Sequence, residues 1–175
     1  MKKFRKGFTL VELLIVLSIL GTLSAMMSAS STDAIDSASA NAILNNLQTL
    51  KTAAFEMYME EPEVASLTEI KLDGSSEVGK EGNKRTVAAI LGAYLGKKAD
   101  ALTTNGASGK YGLIGNAKSW YVVYTFDEND STGTKEKLAS KSKAADLYGG
   151  VARGIDSYTD YYRGSTETCV ALKVR

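Results

Sequence analysis

The sequence predicts an α+β fold in which one long N-terminal helix, part membrane span and part amphipathic, packs on a small antiparallel β-sheet head. Three observations predict it. Twenty mostly apolar residues, Phe8 to Met27, directly follow a basic cluster. A helical pattern then runs uninterrupted to Glu60, and short segments rich in β-branched and aromatic residues appear only in the second half. The expected organisation is a basic leader at 1–7, the apolar half of the helix at 8–30, its amphipathic half at 31–60, and a globular head at 61–175.

Lys2, Lys3, Arg5 and Lys6 fill the first six positions without an acid. At ~1.5 Å per residue, the helix that follows spans ~30 Å, the thickness of a bilayer's hydrocarbon core. The positive-inside rule keeps the basic flank cytoplasmic and places the rest of the chain outside. Competing readings are a secretory signal peptide ending at the small residues Ser28 and Ser30, an uncleaved anchor, and a buried core helix. Glu12 separates them. A carboxylate in an apolar run costs up to about 3 kcal/mol, less near the membrane edge, and a plain signal or anchor gains nothing from it. No basic residue lies between Phe8 and Leu50, so the partner of Glu12 is expected not to be a side chain of the same segment. A cut after Gly7 supplies a charge without a side chain, because it frees the α-amine of Phe8 four residues from Glu12. Within one helix that amine can meet Glu12 loosely; pairing it instead with Glu12 of a neighbouring subunit would turn a buried charge into a registry device.

Lys6-Gly7-Phe8-Thr9-Leu10-Val11-Glu12, followed by an apolar helix, resembles the leader and first mature residues of type IV pilins and type II secretion pseudopilins. The resemblance covers roughly residues 1–30. It implies cleavage after Gly7 by a membrane prepilin peptidase, methylation of the Phe8 amine, and Glu12 as the assembly carboxylate. It also implies a homopolymer with other pilin subunits, assembled by an inner-membrane platform from a single-pass precursor in the cytoplasmic membrane. The product is then a cell-surface filament serving adhesion, motility or DNA uptake, or the short filament of a type II secretion or competence system. Many pilins carry a proline near the end of the span, where this chain has Ala29. If the helix loosens there, Gly21-Thr22 and the Ser/Ala stretch from Ser24 to Ser31 are its weak points by propensity.

From Asp33 to Glu60 there is no Gly or Pro. Ile43, Leu47, Leu50, Ala54 and Met57 (or Tyr58) recur at spacings of four and three and make one apolar face. Asn45, Asn46, Gln48, Thr49, Thr52 and Glu56 lie opposite. The Ser-rich stretch at 28–39 reads either as continuous helix or as a hinge. Pro62 is the expected stop. A Gly/Ser-rich loop follows at 73–84, then a short helix from Thr86 to Leu95 ended by Gly96, and a turn at 105–109. Strands are predicted at Tyr111–Ile114, at Trp120–Phe126 and at Thr168–Val174, with a turn at 127–133 between the last two. The stretch from Thr134 to Leu147 reads as a polar helix or a loop.

The body adds exclusions. The net charge of the 175 residues is +1, and removing the leader's four basic residues from 21 leaves 17 against 20 acids, so nucleic acid is not indicated. Without histidine, His-based triads and His-ligated metals are out, and no catalytic constellation or cofactor motif takes their place. The lone Cys169 reads as a buried residue of the terminal strand, against an intermolecular bridge or a reactive thiol. Asp127, Asn129, Asp130 and Ser131 gather oxygen atoms in one turn. The calcium-loop template nevertheless fails, with Thr132 at its glycine position and Leu138 at its glutamate position. Tyr158, Tyr161 and Tyr162 read as packing for a loop, against an exposed adhesive patch. A single-pass anchored binding protein is the rival of another class, and it predicts indifference to the loss of Glu12.

Overall fold

The structure is a computed structural model that describes residues 8–67, 70, 72, 76–80, 83–96, 111–115, 118–150, 158–164 and 167–175. The side chains of 28–30 are not among them, and the expected turn at 105–109 lies outside the described residues. Helix α1 runs unbroken from Leu10 to Glu60, 51 residues and about 76 Å long at ~1.5 Å per residue. The Ser-rich stretch is therefore continuous helix. As expected from Pro62, α1 stops at Glu60, and the proline opens a single-turn helix α2 (Pro62–Ala65), where its missing N–H costs nothing.

Within the predicted 73–84 loop lies β1 (Glu77–Val78), which forms a two-residue antiparallel ladder with β2 (Arg85–Thr86) just after it. Arg85 ties this ladder to the end of α1 through two bonds to the Glu61 carboxylate, at 3.2 and 3.0 Å. Helix α3 (Val87–Leu95) starts where the sequence places it, because the Thr86 hydroxyl accepts the Ala89 N–H. It ends at Gly96 in a positive-φ conformation that glycine adopts without strain.

The main sheet contains β3 (Tyr111–Gly115), β4 (Trp120–Thr125), β5 (Leu147–Gly150) and β6 (Cys169–Lys173), in the order β3-β4-β6-β5 and antiparallel throughout. The continuous apolar run of β4 follows from burial on both faces. Trp120, Val122 and Tyr124 join Leu172 and Val170 of β6 in the core against α1. Tyr121 and Val123 face the other way, with Ala171, Cys169 and Tyr158. On α1, the predicted stripe of Ile43, Leu47, Leu50, Ala54 and Met57 is buried. Asn46, placed on the polar face by the sequence, instead turns toward the head and donates to the Tyr111 hydroxyl at 2.9 Å. The indole of Trp120 meets Tyr58 edge-on, with centroids 5.1 Å apart, and lies so close over Gly115 that a Cβ there would sit 2.5 Å from it.

The ambiguous stretch after the 127–131 turn resolves into helix α4 (Thr132–Lys141), a turn, and the strand β5, which the sequence analysis did not foresee. Ser131 caps α4, its hydroxyl accepting the Thr134 N–H at 3.0 Å. The Asp36 carboxylate of α1 accepts from the Ser131 and Thr134 hydroxyls. Gly133 admits this approach, since a Cβ on it would collide with the Asp36 carboxylate. Lys137 pairs with Asp33 at 2.7 Å, and Lys141 donates to the Asn41 side-chain oxygen.

Tyr162 is buried, and its hydroxyl donates to the Gly164 carbonyl at 3.2 Å. Burial pushes its ionisation well above the ordinary tyrosine range, with Glu167 and Asp130 adding to the shift. A folded-state pKa raised above the unfolded one adds stability that is complete below the unfolded pKa, near 10, and is lost as pH rises toward the folded value. The head is therefore expected to lose stability above about pH 10. Tyr162→Phe is expected to move the alkaline unfolding midpoint upward, as followed by near-UV circular dichroism.

Candidate functional site: the start of the apolar helix

The first turn of α1 is built by its own residues. Thr9 adopts an extended backbone (φ −79°, ψ 151°), and its hydroxyl oxygen accepts the Glu12 N–H at 3.2 Å. In return the Glu12 carboxylate accepts from the Thr9 backbone N–H and from the Thr9 hydroxyl, both at 2.8 Å. This is a capping box, which satisfies two of the donors that a helix start leaves open. A carboxylate in the first turn also faces the positive end of the helix dipole.

That arrangement corrects the expectation that no side chain of this segment partners Glu12. The segment holds no opposing charge, but a hydroxyl and a backbone N–H three residues upstream suffice for hydrogen bonding. The Thr-x-x-Glu spacing was the signal that could have revealed it. Thr9 donates both bonds to one carboxylate oxygen, Oε2, without neutralising the charge.

Around this box the helix is apolar on all sides. Phe8 is 91% exposed, and Leu10, Val11, Leu13, Leu14, Leu17, Leu20, Leu23 and Met27 are exposed too. Among the described residues α1 is the one helix long and apolar enough to cross a membrane, and none of its most apolar window is buried by the head. A core helix of a soluble protein would be largely covered, so this surface suits lipid or other apolar helices. Gly7 lies outside the described residues, and Phe8 stands one residue before the cap.

The other candidate residues are drawn into the head. Asp130 accepts from the Tyr124 hydroxyl at 2.8 Å and from the Asp127 N–H at 2.9 Å, while Asp127 accepts the Asn129 N–H at 2.8 Å. These carboxylates thus shape a turn, and among the described residues no group of three or more His, Cys, Asp or Glu is placed to hold a metal. Tyr158 and Tyr162 are buried, and only Tyr161 is substantially exposed, stacked on Tyr148. Cys169 is buried in β6, in weak contact with the Thr125 hydroxyl at 3.6 Å.

Residues 2–28 match the family described as the prokaryotic N-terminal methylation motif. The N-terminus is therefore a prepilin-type signal that leads into a membrane-capable helix. Such a motif supports a prepilin of the type IV pilin or pseudopilin kind. No curated protein and no solved structure matches the chain.

Proposed function

We propose that the chain is a structural pilin subunit, cleaved after Gly7 by a prepilin peptidase, N-methylated on Phe8 and polymerised into a type IV pilus filament. The observation that carries this reading is the methylation motif at residues 2–28 running directly into an uncovered apolar helix with one carboxylate, Glu12, in its first turn. The precursor waits in the cytoplasmic membrane with its head outside, and an inner-membrane assembly platform draws it into the polymer at the cell surface. There the apolar halves of α1 exchange lipid for one another, and buried apolar area holds the filament without covalent links. Glu12 then meets the Phe8 amine of a neighbouring subunit, which supplies the charge that Thr9 does not. A pseudopilin of a type II secretion or competence system has the same N-terminal design and differs in forming a short filament.

The test is mass spectrometry of the N-terminal peptide of protein sheared from the cell surface. The expected result is a peptide that begins at N-methylated Phe8. A start near Ser31 would identify an ordinary signal peptide and an intact Met1 a plain anchor, and either would overturn the proposal.

A further inference from the structure

The head holds α1 by two unequal attachments. From Ala40 upward the contact is mainly apolar, through the buried side chains of Ile43, Leu47, Leu50, Ala54 and Met57. Below it, from Ser31 to Ser39, no side chain of α1 is fully buried. Polar contacts join α4 to this stretch and to Asn41: Lys137 on Asp33, the Ser131 and Thr134 hydroxyls on Asp36, and Lys141 on Asn41.

Helix α4 itself belongs to the head. Leu138 is fully buried, Lys135 lies over the Phe126 ring at 5.2 Å, and the backbone at Gly164 packs closely against Ala139. Leu138 shares the core with Ala40 and Ile43 of α1, so the polar contacts at Asp33 and Asp36 lie just below the apolar seam between the two helices. The α1 side of the contact is also the weaker helix. Serine recurs through 28–39, and the Ser31 hydroxyl bonds back to the Met27 carbonyl at 2.9 Å, a contact that weakens and often bends helices. Exposed ion pairs add little, hydrogen bonds to a carboxylate add more, and segments with few buried apolar contacts open first.

We propose that the α4–α1 contact is a releasable clasp closed on Asp36. Closed, it fastens residues 31–39 of α1 to the head; open, it lets that segment bend while the sheet and the upper half of the helix stay folded. The two states differ in the angle at which the head meets the apolar half of the helix. The clasp follows from the packing alone and holds whether or not the chain polymerises.

Amide hydrogen exchange of the full chain in detergent micelles, read by mass spectrometry, tests it. In Asp36→Ala, exchange across 31–39 is expected to quicken on the order of tenfold, the loss of hydrogen bonds to one charged group. Strands β4 and β6 and residues 47–57 should keep wild-type rates. Unchanged exchange across 31–39 would overturn the clasp, and so would acceleration spreading to β4 and β6, which would make α4 and the sheet one cooperative unit with α1. If the alanine chain does not fold, Lys137→Ala is read in the same way, with the same outcomes for and against.

Discussion

Glu12→Ala is expected to abolish surface filaments while the precursor accumulates in the membrane, a drop of tenfold or more in the sheared fraction on an immunoblot with total protein unchanged. A carboxylate in the apolar run opposes insertion by up to about 3 kcal/mol, so the alanine chain sits in the bilayer at least as well as the native one. What it loses is the charge that makes one axial offset between subunits better than its neighbours. At 1.4 kcal/mol per factor of ten, loss of even one such pairing per subunit reaches the expected effect. Alanine also removes the capping box, so a second variant must separate the roles. Glutamine still accepts from the Thr9 N–H and hydroxyl but carries no charge. Glu12→Gln is therefore expected to fail as alanine does. Normal filament yield from the glutamine variant would reduce Glu12 to a helix-start residue and remove the charge pairing from the proposal.

The second large effect is expected in the head. Trp120 is fully buried on the α1 face of β4, edge-on to Tyr58 and pressed over Gly115. Trp120→Ala leaves a cavity between sheet and helix and should cost about 3–5 kcal/mol, a large share of the roughly 5–15 kcal/mol that holds a domain folded. Urea unfolding of the detergent-solubilised chain, followed by the near-UV signal of its tyrosines, measures it. Trp120→Phe should cost under about 1.5 kcal/mol, since most of the ring volume remains. It also removes an indole N–H that has no hydrogen-bond partner among the described residues. A Trp120→Ala chain within 1 kcal/mol of wild type would mean that the sheet and α1 do not share one core.

Much of this molecule was legible where local chemistry decides. The apolar run, the spacing of Ile43 to Met57, the β-rich run from Trp120 and the Thr86 and Gly96 boundaries of α3 all carry their own pattern, and the structure follows them. Strand β5 was not legible, because Leu147-Tyr148-Gly149-Gly150 has neither alternation nor strong β propensity. It is a strand because β6 offers an edge and Tyr161 closes the other side through a bridge to Tyr148. The partners of Asp36 were equally hidden, lying 95 and 98 positions away in sequence. The Thr9–Glu12 box was written plainly in the sequence and was missed because a charge was sought where hydrogen bonds were enough.

The strand order β3-β4-β6-β5 also constrains the sequence of events in making the head. Strands β4 and β5 share no ladder with each other; β6 joins them, and it comes from the last residues of the described chain. Until Cys169–Lys173 has been delivered, the sheet exists only as the β3–β4 hairpin and an orphan edge. Closing it brings together segments far apart along the chain, a slow step because the entropy of loop closure is spent before the contacts form. The head can therefore mature only after β6 has been handed over. Until then the interval exposes the apolar face of α1 and the open side of β4 to whatever else is nearby.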